Sequence, residues 1–405
     1  MSPMIVKAAD AAQFLSFVPR LLGFRPARSL VVIPFRGSRS LGAMRLDLPP
    51  DGESVEPVAS TVVGMVCRLP DADAIAAIVY TDARFGDEGM PHRPLLDAVA
   101  FHADACGVGV GDLLCVAADA WASALDPEGP PGGRPLGELD HDDAGLGGLP
   151  APDGDQVSGA DLPDCPPDQR ARVARAMGEL QRALALLGGA ATSAEPPAAD
   201  VSPPGPADDL GPVPAPVDGE AADEASTDCG AERVDPRALA AAGRLDDLPE
   251  LFEDVLQCPD ALDAYDLAAI AWCLARPSLR DIALVQWRGN LHQGDEALTA
   301  QLRWESGEEY PPHLAMRMWG EGDPPSSVRL DTALRLARRV AAALPRADRP
   351  GPLAMCAWLA WALGRSTHAA EYAQRACDIE PEHGLSQIVL SFVHAGHLPD
   401  WAFRR

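Results

Sequence analysis

Arginine side chains concentrate near the amino terminus of a chain that is otherwise strongly acidic. The chain has a formal net charge of -27, yet its first 50 residues carry seven basic and two acidic side chains. The basic residues in that stretch are Lys7, Arg20, Arg25, Arg28, Arg36, Arg39 and Arg45. Guanidinium groups bind phosphate or carboxylate oxygens in a bidentate way, so this cluster could form an anion site. The alternative is an exposed hairpin whose charges pair with acidic segments elsewhere in the chain.

Asp82 is a second candidate for a ligand site, because it ends the apolar run AIAAIVYTD. The run predicts a strand, and open α/β sheets place ligand groups at the carboxyl ends of their strands. Aspartate at a strand end is also a common turn former. The sequence therefore nominates four speculative ligand-binding residues for a small anionic, phosphorylated ligand: Arg25, Arg28, Arg45 and Asp82.

The sequence lacks the common catalytic motifs, namely a P-loop, a GxSxG elbow, an HExxH helix and zinc-ribbon spacing. The segment CGVGVGD at 106–112 follows a predicted helix and precedes a predicted strand, which is the reverse of a dinucleotide-binding loop and favours a helix end with a turn. Five histidines lack partners at metal-binding or nucleophile-activating spacing: His92, His102, His383, His394 and His397. We expect no catalytic residue, metal or cofactor, and whether the protein is an enzyme stays open.

Composition narrows the class of protein. The chain has 405 residues and 47% hydrophobic content, enough for two modest domains. No apolar run could span a membrane, and the N-terminal segment does not resemble a signal peptide. Nine cysteines without a CxxC pair indicate a reduced, cytoplasmic protein. The strong negative charge repels polyanions, so we expect no nucleic-acid partner. Lys7 is the only lysine, which suggests the codon bias of a GC-rich genome.

Residues 1–122 predict an α/β domain with a mixed sheet and flanking helices. Helical spacing covers 8–23, with a break or a second short turn expected at Pro19. SLVVIPF and LGAMRLDL predict a strand pair joined by the turn RGSRS, and Pro34 suggests a sheet edge or a strand end. Helix and strand patterns then alternate, and DLLCVAADAW predicts one further strand.

The rest of the chain predicts linkers and an all-helical domain. Residues 123–165 predict an acidic Gly/Pro-rich loop, 166–188 an amphipathic helix, and 189–235 a disordered acidic linker with eight prolines and eleven acidic residues. Residues 236–405 have helical periodicity throughout and contain seven of the eight tryptophans. Those tryptophans favour a hydrophobic core, with a peptide-binding groove as the alternative.

The stretch from Phe14 to Leu48 resembles the opening of an actinobacterial family known as domain of unknown function 4192. The matching residues are Leu21, Leu22, Gly23, Phe24, Pro26, Ser29, Leu30, Val31, Val32, Arg45, Asp47, Leu48 and Pro49. The closing segment WLAWALGRSTHAAEYAQRACDIEP and the Arg280–Asp281 pair are also similar to that family. The resemblance implies no known activity, substrate or cofactor.

A short stretch of the helical domain resembles one tetratricopeptide-like hairpin, near 353–381. Gly364, Ala369, Ala376 and Pro381 have the spacing of such a repeat, and small residues let two helices approach closely. We therefore expect a non-catalytic interaction or scaffold protein with a protein partner on its helical domain. The alternative is an α/β domain that binds or processes a small anionic ligand. The sequence does not predict the oligomeric state.

Overall fold

The chain forms a seven-stranded mixed sheet with flanking helices, followed by an all-helical region. The computed structural model describes residues 10–86, 89–139, 152, 154–155, 157–192 and 234–403. The predicted combination of an α/β part and an all-α part is confirmed. Most of the predicted linker 189–235 lies outside the described residues, as does the central part of the predicted loop 123–165.

The sheet is mixed because one parallel pair lies among antiparallel neighbours. Its strands are β1 (Ser29–Arg36), β2 (Arg39–Ser40), β3 (Met44–Asp47), β4 (Ala74–Tyr80), β5 (Gly109–Val116), β6 (Ala120–Ser123) and β7 (Arg134–Pro135). Their order is β2-β1-β4-β5-β6-β7, and β3 also pairs with β1. Among the described strands, only β4 and β5 pair in parallel. The short strand β7 lies within the predicted loop 123–165 and extends the sheet beyond the predicted strands.

Three helices cover the two faces of the sheet: α1 (Ala11–Leu22), α2 (Glu56–Cys67) and α3 (Arg93–Ala105). Helices α2 and α3 pack on one face through buried aliphatic side chains such as Val62 and Val99, and α1 packs on the other through Leu15 and Val18. Helix α2 links β3 to β4, and α3 links β4 to β5. Since β3, β4 and β5 share one direction, α2 and α3 run parallel to each other.

The break predicted at Pro19 is wrong, because α1 continues through it. Pro19 lies in the last turn of α1, where its missing N–H removes one hydrogen bond and no further turn follows. Gly23 then ends the helix in a left-handed conformation (φ 84°), and its N–H donates to the carbonyl of Pro19. The helix therefore keeps its buried face despite the proline.

Two strand predictions differ in part from the structure, because contacts between strands decide where each strand ends and which strands lie inside the sheet. DLLCVAADAW forms two antiparallel strands, β5 and β6, because the Ala117 N–H donates to the Ala120 carbonyl (2.8 Å) and closes a tight turn. Strand β1 lies inside the sheet, so Pro34 is not at an edge. It is close to the end of β1, at the gap between the β3 and β2 pairings, where its carbonyl accepts from the Leu41 N–H (2.8 Å).

Eleven helices form the second part of the described chain. They are α4 (Pro167–Thr192), α5 (Pro236–Arg244), α6 (Leu248–Gln257), α7 (Ala264–Leu274), α8 (Pro277–Arg288), α9 (Leu291–Glu305), α10 (Pro312–Met318), α11 (Ser327–Ala343), α12 (Pro350–Ala362), α13 (Ser366–Cys377) and α14 (Gly384–His394). Helix α12 is buried on all sides, as expected for a helix that is apolar all round. No helix in the described ranges is long and apolar enough to cross a membrane.

Helices α12 and α13 are joined by a tight turn at Gly364, which has φ 75°. Ala369, Tyr372, Ala373 and Ala376 form the buried stripe of α13, and the small side chains of its three alanines let the two helices approach closely. Helix α14 packs against both. The arrangement is a stack of short helices, and its likeness to a tetratricopeptide repeat stays a prediction.

The α/β part contacts the helical part through α13. The Arg45 guanidinium donates to the Thr367 hydroxyl (3.1 Å), and the Phe24 ring lies 5.4 Å from the His368 ring. His368 Nε2 is buried with no hydrogen-bond partner in the described chain, and a Cβ at Gly159 would lie 2.7 Å from it. Burial lowers the pKa of His368 to about 4, helped by nearby guanidinium groups.

Acid is expected to weaken the fold through His368. Its neutral form is favoured in the folded chain, so the unfolded chain binds more protons between the ordinary histidine pKa of 6.5 and about 4. Stability contributed by His368 is therefore complete above pH 6.5 and falls as the pH decreases, by up to about 3 kcal/mol. Urea unfolding at neutral pH and near pH 5 should show a smaller loss in His368→Gln than in the wild type. Equal losses in both proteins would contradict this assignment.

Candidate functional site

A cleft of about 680 Å³ opens in the helical part, between α4, α7, α8, α12 and α14. Its floor is formed where α12 crosses α7. Gly351 makes that crossing possible, because a Cβ there would collide with the Leu274 carbonyl. The volume is within the range of sites that hold a side chain or a small ligand.

One wall of the cleft carries Trp319, an indole that is 51% exposed. Its ring lies 5.2 Å from Phe392, whose ring is 4.8 Å from Trp361 in the core. The Trp358 indole N–H donates to the Met318 carbonyl (2.9 Å), which fixes the chain just before Trp319. Trp319 is therefore held from behind by buried aromatic residues while its outer face meets solvent.

The lining of the cleft also includes two arginines that are already engaged within the chain. The Arg276 guanidinium lies 3.6 Å from the Trp272 ring centre and donates to the Trp272 carbonyl (2.7 Å). Arg280 is buried and donates through Nε (3.0 Å) and Nη2 (2.9 Å) to one Asp281 oxygen. Burial lowers the pKa of Arg276 and raises the pKa of Asp281. Because both guanidinium groups are engaged within the chain, they form part of the wall of the cleft more than they attract an anion.

His383 also lines the cleft and caps the start of α14. Its Nδ1 accepts from the Ser386 N–H (3.4 Å) and lies 3.1 Å from the Ser386 hydroxyl. Burial, together with the charge of Arg280, lowers the pKa of His383. A neutral ring with Nδ1 as acceptor suits a helix cap, so the structure gives His383 a structural role. No metal-binding group of His, Cys, Asp or Glu exists in the part of the chain that the structure describes.

The rim of the cleft is acidic. Asp348, Glu380 and Glu382 are exposed there, and none forms an ion pair with another described residue. With Asp281, the lining has four carboxylates against the two guanidinium groups of Arg276 and Arg280. The site thus combines an exposed indole with excess negative charge, which favours a cationic group next to an apolar one.

A second cluster lies at the carboxyl end of β4. Thr81 Oγ1 is 3.1 Å from His92 Nε2 and accepts from the Ala83 N–H (3.2 Å). Ser29 pairs with Tyr80, the last residue of β4. Arg28 therefore lies beside the end of that strand, close to the exposed Asp82 that follows it. Burial lowers the pKa of His92, and the Asp51 carboxylate partly opposes that change.

Two of these residues have left-handed backbone conformations. Arg28 has φ 47° and His92 has φ 54°, and they are the only non-glycine residues with positive φ among those described. Such a conformation costs about 1–2 kcal/mol for an ordinary side chain, and it concentrates at functional sites. The two strained positions lie near the carboxyl end of β4.

The four nominated ligand residues are therefore separated. Arg28 and Asp82 both lie near the carboxyl end of β4. Arg45 is buried and donates to the Ser29 hydroxyl (2.7 Å), Thr367 and Asp47, so its guanidinium is fully used within the chain. Arg25 is exposed, and its backbone N–H donates to the Gly154 carbonyl (2.9 Å).

The sequence interpretation missed the cleft and the pairing of Thr81 with His92. Trp272 lies in the last turn of α7 and Arg276 lies just beyond the end of that helix, a short separation that could have been noticed. In 106–112, Gly107 has φ 73° at the end of α3, so the predicted helix end and turn is confirmed. Gly109 and Gly111 lie within β5. A Cβ added at Gly109 would lie 3.3 Å from the Asp73 carbonyl oxygen, and one added at Gly111 would lie 3.4 Å from the Ile75 carbonyl oxygen.

One family model matches the chain, over residues 12–325 and 326–400, and it is described as "Domain of unknown function (DUF4192)". No curated protein and no solved structure gives a significant match.

Proposed function

We propose that this chain, which belongs to the DUF4192 family of domains of unknown function, is an interaction protein whose helical part binds a short segment of a partner protein. The observation that carries the proposal is Trp319, half exposed in a cleft with an acidic rim. Aromatic side chains held rigidly at a concave surface are typical anchors of protein interfaces. The packing of α12, α13 and α14 in a tetratricopeptide-like stack is part of this proposal.

The lining defines the chemistry of the bound segment. An apolar side chain would pack between Trp319 and Ile388, which is 40% exposed on α14. A lysine or arginine next to that anchor would face Asp348, Glu380 and Glu382 on the rim. The overall charge of -27 adds a long-range attraction for basic partners. We therefore propose a basic segment with one aromatic or aliphatic anchor.

Selection from a library of random displayed peptides on the full-length protein tests this function. We expect enrichment of peptides that pair a basic residue with an aromatic or aliphatic one, and weaker binding at high salt because exposed charges are screened. Peptides that lack basic residues, or that bind equally well to Trp319→Ala, would overturn the proposal.

A second candidate function is supported by the cluster at the carboxyl end of β4. Arg28 and His92 keep strained backbones beside Thr81 and Asp82, and the Arg28 guanidinium has no ion-pair partner within the described ranges. An anionic group could bind between Arg28 and the Thr81 hydroxyl. This is the small-ligand function for which the sequence nominates Arg28 and Asp82.

Arg28→Gly separates strain from ligand binding. Glycine adopts φ 47° without a Cβ penalty, so the free energy of unfolding should stay within about 1 kcal/mol of the wild type. If pyrophosphate or a nucleoside monophosphate raises the melting temperature of the wild type, that rise should disappear in Arg28→Gly. Arg39→Ala is the control and should keep the rise, because Arg39 lies in β2, beside the other end of β1. No rise in the wild type, or an equal rise in Arg28→Gly, would count against this site.

A further inference from the structure

Two exposed cysteines lie together at the ends of neighbouring helices. Cys67 is the last residue of α2, and Cys106 follows the last residue of α3. Because α2 and α3 run parallel and pack against each other, their carboxyl ends lie side by side. Partial burial and the adjacent Cys106 thiol raise the pKa of Cys67, so the two side chains interact although 39 positions separate the residues in sequence.

The surroundings of this pair differ from those of the other cysteines. Cys115, Cys273 and Cys356 are buried in the cores, and Cys165 and Cys377 are partly buried. Cys258 is exposed but has no other described cysteine as a hydrogen-bond partner. Only Cys67 and Cys106 combine exposure with a second thiol in contact, among the described cysteines.

We infer that Cys67 and Cys106 form a reversible intramolecular disulfide when a low-molecular-weight disulfide is the oxidant. One protein thiolate attacks the S–S bond of the oxidant, which releases one small thiol and leaves a mixed disulfide. The second protein thiolate attacks that mixed disulfide, forms the Cys67–Cys106 bond and releases the second small thiol. Two electrons pass from the protein to the oxidant, and the two thiol protons end on the two released thiols.

The cysteine pair lies beside a contact between the α/β part and the helical part, so its oxidation would affect that contact. Met65, two residues before Cys67, packs against Gly396 beyond α14, and Arg68 lies 3.9 Å from Asp400. A disulfide would link the end of α2 to α3 directly beside this contact between the α/β part and the helical part. Closing the chain between 67 and 106 also restricts the unfolded state, which raises stability in the oxidised form.

The test treats the full-length protein with oxidised glutathione and counts alkylated thiols by intact mass, followed by peptide mapping. We expect the wild type to lose two thiols, to give a Cys67–Cys106 peptide, to melt at a higher temperature and to recover on reduction. Cys106→Ser should instead keep a stable glutathione adduct on Cys67, because no second thiol displaces it. Cys258→Ser is the control and should behave as the wild type.

Two results would overturn the inference. The first is a wild type in which Cys67 and Cys106 both remain alkylatable after oxidation. The second is peptide mapping that finds glutathione held on Cys67 or Cys106 in the wild type without an intramolecular bond. Neither result bears on peptide binding in the cleft, so this inference and the proposed function fail separately.

Discussion

Trp361→Ala is expected to lower the free energy of unfolding by about 3–5 kcal/mol. Trp361 is fully buried in α12, where its ring packs against Phe392 (4.8 Å) and Trp401 (6.4 Å). Its indole N–H donates to the His397 carbonyl (2.7 Å), so the substitution removes a hydrogen bond as well as a large apolar volume. Urea-induced unfolding followed by circular dichroism measures the loss.

Trp304→Ala is the matched control for this prediction. Trp304 lies on α9 and is 54% exposed, so its removal should change the free energy of unfolding by no more than about 0.5 kcal/mol. Trp361→Phe should fall between the two, because it keeps an aromatic ring and loses the N–H donor. Similar losses for Trp361→Ala and Trp304→Ala would show that the core does not depend on Trp361.

Trp319→Ala is expected to weaken binding of a selected peptide at least about 30-fold, which corresponds to about 2 kcal/mol. The indole supplies the largest exposed aromatic surface in the cleft, and its ring is held in place by Phe392 (5.2 Å). Because half of the side chain is exposed, we expect a smaller effect on folding than on binding. Fluorescence anisotropy with a labelled peptide gives the Kd of each variant.

Two further variants distinguish a specific anchor from a general loss of aromatic surface. Trp304→Ala removes an equally exposed indole outside the cleft and should leave the Kd unchanged. Glu382→Gln removes one rim carboxylate, so it should weaken binding modestly and reduce its salt dependence. A Trp319→Ala protein that folds normally and binds with the wild-type Kd would refute the cleft as the binding site.

Local pattern was enough to predict most of the individual elements. The apolar run AIAAIVY forms β4, and the all-round apolar segment from 350 to 362 forms the buried helix α12. Gly23 and Gly364 end or link helices with positive φ, as their positions after apolar periodic segments indicate. These features succeed because strand alternation, helix periodicity and glycine turns depend on residues only a few positions apart.

The same reasoning failed where distant segments decide the outcome. Pro19 was expected to break α1, but packing of Leu15 and Val18 on the sheet keeps the helix intact. Arg45 was grouped with the anion-binding arginines on charge alone. In the folded chain, Thr367, more than three hundred positions away, accepts one of its hydrogen bonds. A count of nearby charges cannot reveal a partner of that kind.

The sequence by itself determined a two-part fold, a family membership and the absence of common catalytic motifs, since all three follow from short-range patterns and residue types. Only the tertiary structure decided where chemistry could occur. Trp319 and the acidic rim residues line one cleft, which lies where α12 crosses α7 at Gly351, and His92 meets Thr81 because the chain returns to the end of β4. Cys67 meets Cys106 because two crossover helices run parallel. Each contact joins residues whose separation in sequence leaves no local signal.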